Sequence, residues 1–247
     1  MINFPLIKSI EIHDNDQQQT ILPYTVSPDL YIVLGYQYTG SLLLLNNNEN
    51  IQLSRCGLSG LQTNSRKYQC STIGTKTLLI KFYPWAMACL INEPSENFIN
   101  NAFNFCDLIT GSAHEKLEEL LSKRYSLNKL TIHLKKFFNH LQTGKANKRL
   151  DYNFIALIQQ TMSDSNYQTK YLEEISGYTI RTIERRFKEL VGLTPKKFLL
   201  LKRFQSAVKF LNEGLSWKDI VEKCNYYDQA HFINDFKEFS NMTPSQV

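Results

Sequence analysis

The strongest constraint on the fold is a repeat with a period of 49 residues near the C-terminus. Phe187-Lys188-Glu189 returns as Phe236-Lys237-Glu238, and Thr194-Pro195 returns as Thr243-Pro244. A unit of this size cannot bury its apolar face alone. The repeat therefore predicts two paired helical units that share one core.

The first copy predicts a helix-turn-helix. Leu172 and Ile175 give a short helix its apolar face, Gly177 permits a turn with positive φ, and Thr179 is suited to cap the next helix. Gly192 is suited to end the helix that Thr179 caps. The second helix has an apolar face at spacings i, i+4 and i+7, formed by Ile183, Phe187 and Leu190. Its outward face carries Arg181, Thr182, Glu184, Arg185 and Lys188.

The second copy repeats this plan with different outward residues. Asn225-Tyr226-Tyr227 forms the turn and Asp228 caps the next helix. Asn225 and Asn241 stand where Gly would be easiest, and Asn is the next most tolerant residue of the left-handed region. The buried stripe is Phe232, Phe236 and Phe239, and the outward residues are Gln229, Ala230, His231 and Asn234.

One long helix is predicted between the copies, from Pro195 to Leu211. Phe198, Leu201 and Phe204 belong to its apolar face. Such a helix would hold the two units at a fixed separation.

These segments resemble the DNA-binding region of AraC/XylS-type bacterial transcription regulators. The resemblance covers roughly 160–247 and is most specific at Tyr227-Asp228-Gln229-Ala230-His231-Phe232, with Thr243-Pro244 behind it. It implies a cytoplasmic, sequence-specific DNA-binding regulator whose expected partner is double-stranded DNA. RNA polymerase, a small-molecule or protein effector, and a second copy in a homodimer are further candidate partners.

The two units differ in net charge. Residues 181–209 hold nine basic and two acidic residues, a net charge of +7, whereas residues 210–247 have a net charge of −3. We therefore expect the first unit and the connecting helix to neutralise most of the DNA phosphates. The expected phosphate contacts are Thr179, Lys188, Lys196, Lys197, Lys202 and Lys237.

Residues near the start of the second helix of such a unit enter the major groove. Arg can pair with guanine, Gln and Asn suit adenine, and Ala can touch a thymine methyl group. The expected base contacts are Arg181, Thr182, Glu184, Arg185, Gln229, Ala230, His231 and Asn234.

Several of these residues have a second interpretation. His231 could instead bond to the backbone at the start of its helix. The resemblance implies that Arg203 and Asp219 tie helices together, so a salt bridge competes with DNA contact. Relatives of this type often carry Arg near Asn234, and the residues here weaken the case for a strong contact at that place.

The N-terminal part, residues 1–112, predicts a β-rich domain in the form of a barrel. Short apolar runs such as Tyr31–Leu34, Ser41–Leu45 and Thr77–Phe82 are bounded by polar clusters, and the turn at Asn46–Asn50 indicates a β-hairpin. A weaker resemblance, which includes Ile80–Trp85, implies a sensor domain. The aromatic pocket candidates are Tyr36, Tyr38, Phe82, Tyr83 and Trp85, for which core packing is the competing role.

Residues 113–148 predict helices followed by a linker, and residues 149–247 the DNA-binding domain. Leu130, Leu134, Phe137, Phe138 and Leu141 form an apolar stripe that either packs on its own domain or forms a dimer seam. Gln142 to Lys148 is the expected linker, and a helix from Leu150 to Thr161 should follow it. The predicted class is α+β, with a β-rich barrel-like sensor domain and an all-α domain of two helix-turn-helix units.

The remaining patterns argue against other classes of protein. No run of eighteen apolar residues is present, and the N-terminus lacks the features of a secretion signal. Five scattered cysteines indicate free thiols rather than a metal site, and no cofactor is expected. No catalytic motif appears, which disfavours an enzyme such as a methyl-accepting DNA-repair protein. An interaction module that has lost DNA binding is the remaining alternative.

Overall fold

The computed structural model describes residues 4–15, 20–46, 49–91, 93–109, 111–123, 125–144, 151–164 and 168–246. Strands occupy the first part of the chain. They are β1 (Ile7–Asp14), β2 (Tyr24–Val26), β3 (Ile32–Thr39), β4 (Leu42–Leu45), β5 (Ile51–Gln52), β6 (Cys56–Ser59), β7 (Arg66–Cys70), β8 (Lys76–Phe82) and β9 (Ala102–Asn104).

Helices follow and fill the second half of the chain. They are α1 (Ala86–Leu90), α2 (Phe105–Leu108), α3 (Ala113–Ser122), α4 (Leu127–Gly144), α5 (Tyr152–Ser163), α6 (Thr169–Ser176), α7 (Ile180–Leu190), α8 (Pro195–Asn212), α9 (Trp217–Lys223) and α10 (Gln229–Ser240), with 3-10 helices at Ser95–Phe98 and Pro244–Gln246. None of the helices in these described ranges is long and apolar enough to cross a membrane.

The strands form two antiparallel sheets, which corrects the expectation of a barrel. One sheet has the order β1-β8-β3-β6-β9 and the other the order β2-β7-β4-β5. Within the described residues each sheet keeps two edge strands, so the hydrogen bonding does not close into a barrel. The predicted hairpin is confirmed, since Leu44 pairs with Ile51, although residues 47–48 of its turn lie outside the described residues.

The core of this first region contains most of the aromatic pocket candidates. Tyr36, Phe82 and Trp85 are buried, and Tyr38 and Tyr83 pack against the same cluster. Core packing is therefore the role that the structure assigns to them, in place of a pocket.

Helix α4 packs on the sheet through its apolar stripe. Leu130, Leu134 and Phe138 are buried, and the Phe138 ring lies 4.9 Å from that of Phe82. The intramolecular interpretation of the stripe is thus confirmed. The helix continues to Gly144, so the expected linker does not begin at Gln142, and residues 145–148 lie outside the described part. The helix predicted from Leu150 to Thr161 is present from Tyr152 to Ser163, and Leu150 itself lies outside the described residues.

Helix α8 is the shared support of the repeated units. Its Phe198 ring lies 5.5 Å from Phe187 of the first unit, and its Phe204 ring lies 5.1 Å from Phe236 of the second. Six residues along one helix therefore separate the two cores, which fixes the distance between the units as the sequence predicts.

The N-terminal region contacts the first unit, the connecting helix and the second unit. The backbone of Gly192 passes so close to Ser95 that a Cβ would come 2.6 Å from the Ser95 carbonyl oxygen. The Ser65 N–H donates to the Phe239 carbonyl oxygen at 2.8 Å, and Gln205 of α8 donates to the Asp29 carboxylate. These contacts join the sheet region to both halves of the repeat.

Candidate nucleic-acid interface

The first unit is formed by α6 and α7, and local interactions set its turn. Gly177 ends α6 with φ +69°, a backbone conformation that suits Gly. Thr179 caps α7 by accepting from the Thr182 N–H at 3.4 Å, and the Glu173 carboxylate accepts from the Ile180 N–H at 2.6 Å. The predicted cap is confirmed, so the Thr179 hydroxyl is already engaged in the free protein.

Helix α7 divides cleanly into a buried and an exposed face. Ile183, Phe187 and Leu190 are buried, while Thr182 is half-buried beside its cap. The exposed charged residues are Arg181, Glu184, Arg185, Lys188 and Glu189. Arg181, Arg185 and Lys188 follow one another at spacings of four and three, so they form one basic stripe along the helix.

Ion pairs within the fold reduce the number of cations that are ready for phosphate. Arg185 binds Glu189 at 2.7 Å, and Lys197 binds Glu238 while lying over the Phe239 ring. Such exposed pairs are worth only about 0.2–1 kcal/mol each, so a phosphate or base can replace them. Arg181, Lys188 and Lys196 are exposed and have no ion-pair partner among the described residues.

Lys202 does not fit its predicted role as a phosphate contact. It is 5% exposed, and its ammonium donates to the Asp164 carbonyl oxygen. Burial lowers the pKa of Lys202 to about 8, because the charged form loses its hydration, and Asp164 partly opposes that shift. A side chain so enclosed cannot reach a DNA backbone at the surface.

The second unit, α9 and α10, repeats the frame with different chemistry. Asp228 caps α10 by accepting from the His231 N–H at 2.7 Å. Asn225 and Asn241 both have positive φ, as predicted from their places in the repeat. The exposed residues at the start of α10 are Gln229, Ala230 and Asn234, and Lys237 is exposed in its last turn.

His231 differs from its predicted outward orientation. Its Nδ1 faces the Tyr227 N–H at 3.3 Å, and its Nε2 lies 3.2 Å from the Arg203 guanidinium. Both ring nitrogens are therefore engaged inside the protein, which agrees with the alternative of backbone bonding and does not fit base contact.

A buried ion pair ties α8 to α10. Arg203 is 8% exposed, binds Asp235, and stacks over the Tyr226 ring at 4.4 Å. The expectation of a structural role for Arg203 holds, but its partner is Asp235. Asp219 instead accepts from the Ser216 hydroxyl at 2.6 Å at the start of α9. Asp235 was missed because nothing in its sequence neighbourhood indicates which way it faces.

A cleft of about 600 Å³ lies between the two regions, and sequence patterns did not indicate it. It is bounded by the segment before β3, the end of α5, helix α8 and the end of α9. Lys202, Lys209 and Lys223 supply its positive charges, and Asp164 is the acidic residue among its lining side chains. Its apolar lining comes from Leu30, Tyr31, Met162 and Phe210.

The described residues give no sign of metal chemistry, because no three His, Cys, Asp or Glu side chains among them form a metal-binding group. Cys56, Cys70, Cys89, Cys106 and Cys224 are free thiols. Burial raises the pKa of Cys89 to about 12 and that of Cys224 to about 11, so both are poor nucleophiles near neutral pH.

Comparison with known proteins agrees with this geometry. Residues 172–247 match the family model of a helix-turn-helix domain. An uncharacterized HTH-type transcriptional regulator of Haemophilus influenzae is 32% identical over 100 residues, which are 40% of this chain and 33% of that protein. The HTH-type transcriptional activator RhaS of Escherichia coli is 31% identical over 70 residues, which are 28% of this chain and 25% of RhaS.

The matched segment thus spans a third or less of the curated relatives' own length. Among solved structures, apo ToxT of Vibrio cholerae aligns over 99% of this chain and 97% of its own, with 13% identity and a TM-score of 0.49. The paired units and their capped helices agree with these matches, so residues 172–247 are similar to the helix-turn-helix domain of transcriptional regulators.

Proposed function

We propose that this protein is a sequence-specific, DNA-binding transcription regulator. The observation that carries the proposal is the exposed basic stripe of Arg181, Arg185 and Lys188 on α7, the helix that follows the turn of the first unit. In a helix-turn-helix this helix enters the major groove with its N-terminal residues toward the bases. The helix α8 behind it keeps α10 at a fixed separation, so that the two helices can occupy successive segments of the groove.

We assign different kinds of DNA contact to the two units. Arg181 and Arg185 supply charge and can form bidentate pairs with guanine, and Lys188 and Lys196 lie ready for phosphates. In the second unit, the exposed Gln229 and Asn234 suit adenine, and Ala230 suits a thymine methyl group. We assign His231 and Lys202 no direct contact with DNA, because both are engaged inside the protein.

Selection of bound sequences from a random pool of DNA duplexes tests the proposal. We expect a site with two motifs about one helical turn apart, since each unit would occupy one exposure of the groove. Affinity for the selected duplex should fall steeply as salt concentration rises, because bound Lys and Arg release counterions. Weak binding that is equal for all sequences would instead favour an interaction module that has lost DNA recognition.

We further propose that the cleft between the two regions binds an anionic effector with an apolar portion. Three lysines face one carboxylate there, and that carboxylate, Asp164, already accepts from the Tyr171 hydroxyl at 2.7 Å. A carboxylate or phosphate group would meet Lys209 and Lys223, and an acyl or aromatic portion would lie against Leu30 and Phe210. Since the cleft includes α8, its occupant would contact the element that separates the two units.

Decanoate and decanol are matched probes for this effector site, because they share a chain and differ in charge. We expect decanoate to raise the melting temperature of the wild-type protein and decanol to have little effect. Lys223→Met should reduce the response to decanoate, whereas Lys196→Met, a change to an exposed lysine on the same domain outside the cleft, should not. Equal responses to both probes would reject the assignment of an anion site. RNA polymerase and a second copy of the chain are the other partners that we propose for this regulator.

A further inference from the structure

Tyr227 is the most exposed large aromatic or aliphatic residue in the described parts of the chain. Its exposure is 91%, and the next value in this group is 69% for Leu22. It lies directly before Asp228, the N-cap of α10. Its neighbours Asn225, Gln229 and Ala230 are exposed as well. This side chain therefore contributes little to the stability of the fold.

The first unit has a tyrosine at the same place in the repeat, and there it is used for packing. Tyr178 directly precedes the cap Thr179, is partly buried, and lies with its ring 5.7 Å from that of Phe154. In the second unit the interior place is filled by Tyr226, which is 6% exposed and packs 5.3 Å from Phe232. Packing thus explains Tyr178 and Tyr226 and leaves Tyr227 without a structural role.

The backbone at Tyr227 is nevertheless held in a defined position. Its N–H donates to His231 Nδ1 at 3.3 Å, and His231 is itself bound by Arg203. The direction in which the side chain leaves the turn is therefore set before any ligand binds. On that fixed backbone only the two side-chain torsions of tyrosine remain to be ordered on binding, fewer than in a lysine.

The position and the chemistry of Tyr227 fit a DNA phosphate. The first residues of α10 face the bases, and a residue just before the cap lies beside the helix, where the groove is bordered by the backbone. Tyrosine hydroxyls are among the groups that donate to phosphate oxygens. Residues 210–247 have a net charge of −3, so a neutral donor provides an anchor that this unit otherwise largely lacks.

We propose that the Tyr227 hydroxyl donates a hydrogen bond to a backbone phosphate at the edge of the second half-site and so fixes the register of α10. This inference rests on the proposed DNA-binding function. The Tyr227 hydroxyl carries no charge, so the effect of its removal on DNA binding can be separated from the effects of removing arginines and lysines.

Fluorescence anisotropy with the selected duplex tests the contact. Tyr227→Phe removes only the hydroxyl, and we expect it to weaken binding about 10-fold, as for a hydrogen bond to a charged group. The slope of log affinity against log salt should stay the same, because no cation is lost. Tyr152→Phe is the control, since Tyr152 is 42% exposed, lies on α5 and stacks on Phe4. The high exposure of Tyr227 predicts unchanged melting temperatures for its variants.

A scan of single methylphosphonate substitutions locates the acceptor. At one phosphate of the second half-site, the methylphosphonate substitution should lower the affinity of the wild-type protein to that of Tyr227→Phe. The affinity of Tyr227→Phe should not change when the same phosphate is substituted. Wild-type affinity in Tyr227→Phe, or a loss in Tyr227→Ala without a loss in Tyr227→Phe, would overturn the hydroxyl contact while leaving the proposed function intact. Failure of the wild-type protein to select any duplex would reject both.

Discussion

Gly192→Ala measures how tightly the first unit is held against the N-terminal region. Gly192 has φ +88°, and a Cβ there would lie 2.6 Å from the Ser95 carbonyl oxygen and 2.8 Å from Ile99 Cδ1. Gly177 is a matched control, because it also ends a helix at positive φ, +69°, yet a Cβ there would meet nothing within 4 Å. Both substitutions place alanine in the left-handed region of the backbone, but only Gly192→Ala also forces a Cβ against neighbouring atoms.

The expected magnitudes follow from these two terms. An ordinary residue in the left-handed region costs roughly 1–2 kcal/mol, which both variants incur. Forcing extra atoms against a packed backbone costs a further ~1–3 kcal/mol, which applies at Gly192 alone. We therefore expect Gly177→Ala to lower the free energy of unfolding by about 1–2 kcal/mol and Gly192→Ala by ~2–5 kcal/mol.

Urea denaturation of both variants, compared at equal m-values, gives these differences. Amide hydrogen exchange supplies an independent measurement, since the 3-10 helix at Ser95–Phe98 should lose protection in Gly192→Ala and keep it in Gly177→Ala. If Gly192→Ala is no more destabilising than Gly177→Ala and exchange at this helix is unchanged, the close contact between Gly192 and Ser95 does not constrain the fold.

Three further predictions concern charged side chains. Arg185→Ala should weaken specific DNA binding by about 1–3 kcal/mol, and far more than Asn234→Ala; the reverse order in a binding titration would contradict the charge argument. Arg203→Leu should lower the free energy of unfolding by about 3–5 kcal/mol in urea denaturation, because it removes the guanidinium partner of Asp235. A decrease below ~1 kcal/mol would contradict the assignment of a buried ion pair. The lowered pKa of Lys202 means that the unfolded chain binds more protons between about pH 8 and its ordinary pKa. Wild-type stability relative to Lys202→Met should therefore rise with pH across this interval, by up to about 1.4 kcal/mol per pH unit, and parallel pH profiles would contradict it.

Local patterns predicted the paired units because their signals lie close together in the chain. The caps at Thr179 and Asp228 each bond to a backbone N–H three residues away. The left-handed residues Asn225 and Asn241 could be identified from the repeat and from the tolerance of Asn for that region. Interactions of this range need no knowledge of what packs against the helix.

The roles of the charged residues were harder to predict. Helix periodicity indicates which residues share a face, but it does not indicate which part of the protein packs against that face. Lys202 belonged to a basic cluster in the sequence, and the end of α5 encloses it in the fold. Arg203 was expected to tie helices together, yet its partner lies 32 residues away on α10. Which carboxylate it meets depends on the rotation of α10 about its axis, and that rotation is set by Phe232 and Phe236 in the core.

The strand arrangement failed for a similar reason. Short apolar runs located β3, β4 and β8, but the partner of each strand depends on contacts across long stretches of chain. β8 pairs with both β1 and β3, and β7 with β2 and β4, so the strands divide into two sheets where a barrel was expected.

The sequence by itself determined the double helix-turn-helix frame, its caps and its basic first unit, because turn chemistry and apolar spacing act over a few residues. Only the tertiary structure decided which cations remain exposed, where the lysine cleft forms, and how the N-terminal region contacts both units. Burial and ion pairing depend on surfaces that meet from distant parts of the chain. The repeat makes this visible, because Gly192 must be glycine where Ser95 packs against it, while its counterpart Asn241 is exposed and needs only positive φ.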